Sequence, residues 1–165
     1  MHAAQSPFRI GHGYDLHRLQ TGGKLMLGGI KVADNLSPIA HSDGDVVLHA
    51  LCDAMLGAMA WGDIGQWFPN NDPNWKDAAS EVFVKAIHHK MTAEGYGIVN
   101  ADITILAERP RLSPFRDAMT KSLTTLIGGQ VNIKAGTNES CDAIGRGEAI
   151  AAHAIVLVMK SSMAH

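Results

Sequence analysis

Two short stretches of the chain carry residues that could bind a metal ion. Asp15 and His17 are two positions apart in an extended stretch, and His49 lies in an apolar segment. Side chains two apart in a strand point to the same face, so Asp15 and His17 can act together. Two imidazoles and one carboxylate are typical of a catalytic zinc site, which leaves a fourth position for water or substrate. A buried Asp–His hydrogen bond beside an unrelated histidine would explain the same residues.

The segment that carries His49 predicts a loop that turns into a helix. Ser42 or Asp43 can cap its first turn by accepting hydrogen bonds from free amides. Asp45 and Asp53 stand four residues before and after His49, which places all three on one stripe of the helix. Because so apolar a helix is mostly buried, its ionisable side chains need partners. We expect Asp45 to serve the helix N-terminus and Asp53 to orient the imidazole.

Two further segments contain residue types that bind phosphate groups. Arg109-Pro110-Arg111 follows a predicted strand and precedes a predicted helix. Lys134, Thr137, Glu139 and Arg146 lie in or beside a second, glycine-containing segment. Cationic side chains and free amides at a helix start suit phosphate. From the residues alone, solvated loops that carry ordinary charges are the simpler explanation.

The elements that must position these residues alternate between strands and helices. We expect strands over 8–19, 25–27, 30–32, 99–107, 130–135 and 150–160, and helices from 41–45 to about 62, over 78–94 and over 113–127. Ser113 and Pro114 are typical of a helix start, and Gly95 of a helix end. Irregular loops are expected over 33–39, 63–73 and 136–147. This order predicts an α/β (α+β) fold with a mixed sheet and helices packed on one face.

Composition limits the classes of protein to which the chain can belong. The 165 residues are 46% hydrophobic and 18% charged, as expected for one globular domain. A net charge of −2 gives no general attraction for nucleic acid or an anionic membrane, and no apolar run reaches the length of a membrane span. Residues 1–8 lack a secretory or transit pattern, so we expect a cytoplasmic protein. We predict a flexible extension over 1–8, a domain over 9–160 and a tail over 161–165.

Several motifs, taken in order, resemble one enzyme family. They are IGHGYDLH from Ile10, AHSDGD from Ala40 with His49 beyond it, GDIG from Gly62, FP from Phe68 and GRGE from Gly145. Together they resemble the 2-C-methyl-D-erythritol 2,4-cyclodiphosphate synthases of the non-mevalonate isoprenoid pathway. The resemblance runs from about residue 9 to residue 160, and the block over 41–65 is its most specific part.

The resemblance implies a ferredoxin-like subunit in a homotrimer, with three active sites between neighbouring subunits. It implies a cytidine diphosphate ester as substrate, 4-diphosphocytidyl-2-C-methyl-D-erythritol 2-phosphate. The 2-phosphate would attack the β-phosphorus and expel CMP, which leaves a cyclic diphosphate. The chain would then be a phosphorus–oxygen lyase.

The resemblance also implies roles for individual residues. Zn²⁺ would be held by Asp15, His17 and His49, and a second cation, Mg²⁺ or Mn²⁺, by Glu139. His41 and Thr137 would be catalytic and stabilise the transition state. The residues expected to bind substrate are Asp15, His17, His41, Ser42, Asp63, Ile64, Gly65, Phe68, Asp72, Ala107, Pro110, Arg111, Ser113, Thr137, Glu139 and Arg146. Among these, Asp63 would hold hydroxyl groups, and the segment 107–113 would form the cytosine pocket.

The sequence departs from the family's pattern at three positions. Asn70 replaces a carboxylate, Gly136 replaces a threonine and Ala143 stands where an aromatic residue is expected. No metal ligand is lost. The missing aromatic residue bears on the next motif, because it would lie close to Arg146.

The last motif, around Arg146, concerns assembly. The apolar strand over 150–158 predicts burial at a subunit interface. In the resembling family the matching arginine faces a cavity on the threefold axis that can hold an isoprenoid diphosphate. An ion pair between Arg146 and Glu148 is an equally good explanation here.

Two alternative functions use the same residues. A non-catalytic, metal-stabilised nucleotide-binding trimer would use the three metal ligands structurally, although structural zinc sites usually have four ligands. A metallo-hydrolase of phosphodiesters would release linear phosphates in place of a cyclic product.

Overall fold

The computed structural model describes residues 6–69, 71–75 and 78–161. The strands are β1 (Phe8–Thr21), β2 (Leu25–Leu27), β3 (Ile30–Ala33), β4 (Leu36–Pro38), β5 (Tyr96–Leu106), β6 (Gln130–Gly136) and β7 (Ala149–Lys160). The helices are α1 (Val46–Met59), α2 (Ile64–Trp67), α3 (Glu81–Ala93), α4 (Arg116–Ile127) and α5 (Asp142–Gly145), with single 3-10 turns at Pro73–Trp75 and Ser113–Phe115. No helix among these residues is long and apolar enough to cross a membrane.

Five strands form one mixed sheet in the order β4-β1-β7-β5-β6, and β2 pairs with β3 separately. Only β5 and β6 run parallel; the other pairs in the sheet are antiparallel. Helices α1, α3 and α4 pack on the buried face of this sheet. The predicted mixed α/β architecture is therefore confirmed. The closing strand β7 lies in the middle of the sheet, so its apolar inner residues are buried in the chain's own core.

Helix α1 lies unusually close to strand β1. A Cβ atom added at Gly11 would lie 1.8 Å from the carbonyl oxygen of Ala54, and one at Gly13 would lie 1.9 Å from that of Ala50. Only glycine permits this approach. Asp15 and His17, two and four residues beyond Gly13, lie on the same face of β1 and point toward α1.

Among the described residues, the opposite face of the sheet carries a helix only at one end, where Ile144 of α5 packs with Ala151 of β7. The outward side chains of β1 include Ile10, which is 71% exposed, and Tyr14 and Leu16 are also exposed. His12 and His153 lie beside them, with Nε2 of one 3.2 Å from Nδ1 of the other. The prediction that Asp15 and His17 share one face of β1 is confirmed by burial, because both are partly buried while Tyr14 before them and Leu16 between them are exposed.

The start of α1 differs from the prediction. Its N-cap is Asp45, not Ser42 or Asp43, because the Asp45 carboxylate accepts hydrogen bonds from the amides of Val47 and Leu48, both at 3.1 Å. The side chains at 42 and 43 are used for contacts inside the loop and with α3.

The other differences are short elements inside predicted loops. Strand β4 lies within 33–39, helix α2 within 63–73 and helix α5 within 136–147. Ser113 begins a 3-10 turn and caps no helix; its Oγ accepts from Arg111 Nε at 3.1 Å. Most of the predicted extension and tail, and Asn70, lie outside the described residues.

Candidate functional site

The candidate metal ligands meet where β1 faces α1. The Oδ2 atom of Asp15 is 3.0 Å from Nδ1 of His49 and 3.2 Å from Nε2 of His17, and the two imidazole nitrogens are 3.2 Å apart. Donor atoms at about 2.0–2.2 Å from one ion have mutual separations of this size. Because three donors converge on one point, the triad fits a divalent metal ion.

The triad is also electrostatically prepared for a cation. Burial alone would raise the pKa of Asp15, but the hydrogen bonds and charges of His17 and His49 hold that pKa well below its usual range. Burial alone would lower the pKa of His49, but the Asp15 carboxylate raises it. Both shifts have one cause, the attraction between the carboxylate and the imidazoles. The carboxylate is thus ionised and available as a ligand at neutral pH.

The second ring nitrogen of His49 faces α3. Its Nε2 atom is 2.9 Å from Oγ of Ser80 and 3.2 Å from Oγ of Ser42. Ser80 is fully buried, and its hydroxyl donates to Oδ1 of Asp43. Sequence reasoning missed Ser80, because it lies in the first turn of the helix predicted over 78–94 and nothing local links it to His49.

The two acidic neighbours of His49 have different partners. Asp45 accepts hydrogen bonds from Gly28 N at 2.9 Å and Gly29 N at 2.8 Å in addition to its own helix cap, so its predicted role at the helix start is confirmed. Asp53 accepts from the amide of Ile64 at 2.8 Å. The prediction that Asp53 orients His49 is therefore wrong, and its carboxylate instead positions the start of α2.

The triad opens into a cleft of about 560 Å³. Its walls include nine of the residues predicted for the site, namely Asp15, His17, His41, Ser42, His49, Ile64, Gly65, Phe68 and Asp72. The residues that were not predicted are Ile39, Ala40, Asn71, Pro73, Trp75 and Phe83. Asp63 stands just outside these walls and caps α2, where it accepts from the amide of Gln66 at 2.9 Å.

Aromatic side chains form one wall of the cleft. The ring centroid of Phe68 is 4.5 Å from that of Phe83 and 5.1 Å from that of Trp75, and Phe83 lies 6.3 Å from the ring of His49. Beside this wall, Trp61 and Trp67 stack at 5.7 Å. The wall makes the side of the cleft next to His49 apolar.

The remaining predicted site residues do not line this cleft in a single chain. Ala107, Pro110, Arg111, Ser113, Thr137, Glu139 and Arg146 lie beyond the ends of β5 and β6 or before β7. The pairing places Leu16, Ala151, Leu106 and Gly136 in one row across the sheet. The predicted residues that follow β5 and β6 are thus at the same end of the sheet as the triad, but two to three strands away, or about 10–15 Å. Arg146 instead precedes β7, which pairs directly with β1.

Thr137 and Glu139 form a contact of their own. Thr137 Oγ1 donates to Glu139 Oε1 at 3.1 Å. Glu139, Ser140 and Asp142 all have positive φ, at 50°, 64° and 57°. Non-glycine residues in this region cost about 1 kcal/mol or more each, and such strain clusters at functional sites.

Comparison with known proteins decides the family. The model of the YgbB family matches residues 8–159. The chain belongs to the YgbB family. The chain is 48% identical over 161 residues to a 2-C-methyl-D-erythritol 2,4-cyclodiphosphate synthase of Xanthomonas axonopodis pv. citri (strain 306). The matched residues make up 96% of this chain and 97% of that protein. It is also 48% identical over 157 residues to the chloroplastic synthase of Arabidopsis thaliana, covering 93% of this chain and 68% of that one.

Solved structures of YgbB-type proteins have the same fold. IspF of Plasmodium falciparum in complex with CDP matches with a TM-score of 0.84 and 32% identity, over 96% of this chain and 100% of that one. The bifunctional IspDF of Campylobacter jejuni matches with a TM-score of 0.89 and 34% identity, over 93% of this chain and 42% of that longer one.

The GRGE segment before β7 contains an ion pair. Arg146 donates from Nε to Glu148 Oε1 at 2.9 Å and from Nη2 to Oε2 at 3.2 Å. This pairing raises the pKa of Arg146 and lowers that of Glu148. The ion-pair explanation for Arg146 is confirmed within the single chain, and both side chains are exposed.

Proposed function

We propose that the chain converts 4-diphosphocytidyl-2-C-methyl-D-erythritol 2-phosphate to 2-C-methyl-D-erythritol 2,4-cyclodiphosphate and CMP. The cyclodiphosphate-forming role in isoprenoid biosynthesis follows from the family and from the names of its relatives. Within the molecule, the convergence of Asp15, His17 and His49 at the cleft is the observation that carries the proposal. The reaction makes the chain a phosphorus–oxygen lyase.

The triad is the proposed holder of Zn²⁺. One carboxylate oxygen and two imidazole nitrogens match the ligands of catalytic zinc sites with an open position. When bound, the ion supplies Lewis acidity and a template for the phosphate oxygens. Glu139, beside Thr137, is the proposed ligand of a second cation, Mg²⁺ or Mn²⁺.

The chain's own side chains have the task of alignment. Phosphoryl transfer needs positioning and charge neutralisation more than covalent help. His41 and Ser42, which line the cleft, are the proposed phosphate-binding residues, and Asp63 beside the cleft is proposed to hold sugar hydroxyls. The aromatic wall excludes water that would otherwise compete with the substrate's own 2-phosphate as nucleophile.

The second half of the site is proposed to come from a neighbouring subunit. The cytosine pocket over 107–113, with Thr137 and Glu139, is too far from the triad to complete it within one chain. A homotrimer of ferredoxin-like subunits with sites between neighbours would bring the halves together. The uncovered apolar face of the sheet supports such an assembly. The cytoplasm is the proposed location.

The Arg146 motif has a proposed role of its own. Its exposed ion pair with Glu148 would face the axis of a trimer. There Arg146 could bind the phosphate oxygens of an isoprenoid diphosphate in place of the Glu148 carboxylate.

A product assay tests the function. The chain, loaded with zinc and supplied with Mg²⁺, is expected to release CMP from the cytidylyl substrate, and phosphorus NMR is expected to detect the cyclic diphosphate. His49→Ala and Asp15→Ala should lose both zinc and activity without unfolding, while His89→Ala, an exposed histidine on α3, should lose neither. Failure of folded, zinc-loaded protein to release CMP would favour the nucleotide-binding trimer, and linear phosphates would favour a hydrolase.

A further inference from the structure

The ring of His49 can bind a metal through only one of its two nitrogens at a time. Which nitrogen carries the proton is set by the hydrogen bond that the other one makes. We propose that Ser80 and Asp43 act as positioning residues that fix the proton on Nε2 and leave Nδ1 free to bind the metal. This inference rests on the proposed metal centre.

The assignment follows from which groups can donate. The carboxylate of Asp43 only accepts, so the hydroxyl hydrogen of Ser80 points to it. The Ser80 oxygen is then left to accept, and the hydrogen that it accepts is the one on Nε2 of His49, 2.9 Å away. Ser42 Oγ, at 3.2 Å, offers the same hydrogen a second acceptor.

The consequence appears at the other nitrogen. With the proton on Nε2, Nδ1 presents a lone pair to the Asp15 carboxylate at 3.0 Å and to the His17 ring at 3.2 Å. Acceptor atoms this close repel one another unless a cation or a proton lies between them. The arrangement of hydrogen bonds on the α3 side therefore prepares a cation site on the β1 side.

Ser80 contacts His49 and does not make the helix-capping hydrogen bond that is common at its position. It occupies the N-cap position of α3, where a serine usually accepts a hydrogen bond from a helix amide, yet its side chain makes no cap hydrogen bond. Asp43 holds it instead, because Oδ2 accepts from the Ser80 amide at 3.0 Å in addition to the hydroxyl contact. Oδ1 of Asp43 also accepts from the amide of Asp45 at 3.2 Å.

Two variants separate this role from simple packing. Ser80→Ala removes one acceptor but leaves Ser42 to hold the Nε2 hydrogen, so we expect zinc affinity to fall by about tenfold. Asp43→Asn places its NH₂ group against a backbone amide in either orientation. The repulsion between N–H groups is weaker at the longer contact, which is the 3.2 Å contact with the amide of Asp45. The NH₂ group therefore takes that position, where it also points to the Ser80 hydroxyl.

In Asp43→Asn the Ser80 hydroxyl accepts from that amide and donates to Nε2 of His49. The ring proton then moves to Nδ1, the nitrogen that should bind the metal. We expect Asp43→Asn to lose about 100-fold or more in zinc affinity, although residue 43 is farther from the metal than residue 80.

Two measurements on the full chain provide the test. Nitrogen-15 NMR of the zinc-free wild type, at a pH high enough for the His49 ring to be neutral, should find His49 protonated at Nε2 and, in Asp43→Asn, at Nδ1. Zinc affinity from competition with a chromophoric chelator should rank wild type above Ser80→Ala and Ser80→Ala above Asp43→Asn. Asp34→Asn and Ser37→Ala, on the surface away from the triad, are the matched controls.

A wild-type protein with the His49 proton on Nδ1 would overturn the inference, and so would an Asp43→Asn variant that binds zinc as well as Ser80→Ala. The wild-type spectrum decides even if a variant fails to fold. If the wild type itself binds no zinc, the proposed function fails; if it binds zinc with the other tautomer, only this inference fails.

Discussion

At the scale of single residues, the triad couples zinc binding to protons. The Asp15 carboxylate raises the pKa of His49, so a proton competes with the metal at a higher pH than for an ordinary histidine. Zinc affinity is expected to fall as the pH drops through this raised pKa and to level off above it. Competition titrations across pH measure the midpoint. Asp34→Asn should leave the midpoint unchanged, and an affinity independent of pH from 6 to 8, on either side of the usual value of ~6.5, would contradict the coupling.

The same shift affects the stability of the zinc-free protein. Because the folded-state pKa of His49 is raised, its pairing with Asp15 stabilises the fold fully below the unfolded-state value of ~6.5. That contribution disappears as the pH rises through the folded-state pKa. Zinc reverses the trend, since it binds the neutral imidazole.

Glu139 should behave differently from the triad. Replacing Glu139 by Gln removes the charge proposed to hold the second cation and leaves the three zinc ligands in place. Zinc content should stay stoichiometric. The concentration of Mg²⁺ or Mn²⁺ needed for activation should rise by at least tenfold. Glu94→Gln, at an exposed ion pair with Lys90, is the matched control. An unchanged Mg²⁺ requirement would show that Glu139 does not bind the second cation.

At the scale of elements, the geometry of the triad depends on how closely α1 approaches β1. In Gly13→Ala the new methyl group would overlap the carbonyl of Ala50, so strand and helix must separate. We expect a loss of about 3 kcal/mol in the free energy of unfolding, with weaker zinc binding in whatever remains folded. Gly97→Ala in β5 is the control, because a Cβ atom there meets nothing within 4 Å. Equal denaturation midpoints for the two variants would show that the close approach is not required.

The elements also show what a single sequence can predict. Local periodicity was enough to put Asp15 and His17 on one face of β1 and to predict a buried helix around His49. It left open whether that helix brings His49 to the other two, which only the resemblance implied. Which side chain caps α1 was not predictable, since Asp43 and Asp45 have equal capping ability. The amides of Gly28 and Gly29 hold the Asp45 carboxylate at the helix start, whereas Ser80 engages that of Asp43. Ser80 could not be found, because its contact with His49 exists only after α3 packs on α1.

The separation of the two halves of the site was likewise beyond local patterns. The resemblance implied sites shared between neighbouring subunits, but only the register of the sheet shows that Glu139 and the 107–113 segment lie two to three strands from the triad. Strand order is a property of the packed chain, and the sequence shows no periodicity that would reveal it.

At the scale of the whole molecule, the uncovered sheet face predicts assembly. Ile10 lies on this face near the start of β1 and is 71% exposed in the single chain. Light scattering of the wild type is expected to give three times the chain mass of 17.6 kDa. Ile10→Lys should dissociate the assembly and abolish activity while the fold remains, because a lysine there would be buried without a partner.

Val82→Lys is the matched control for that experiment. Val82 is 45% exposed on α3, on the helix side of the molecule, so the same change there should leave the mass unaltered. A wild-type monomer would refute the trimer. A trimer that survives Ile10→Lys would place the interface elsewhere.

The aromatic wall has an optical consequence. All three tryptophans of the chain lie between Trp61 and Trp75, where two stack on each other and the third lines the cleft beside the triad. Tryptophan fluorescence therefore arises from one small region of the molecule, and the rest of the fold does not contribute to it. Any molecule that enters the cleft and disturbs Trp75 should change the colour or intensity of the protein's own fluorescence, with no label attached.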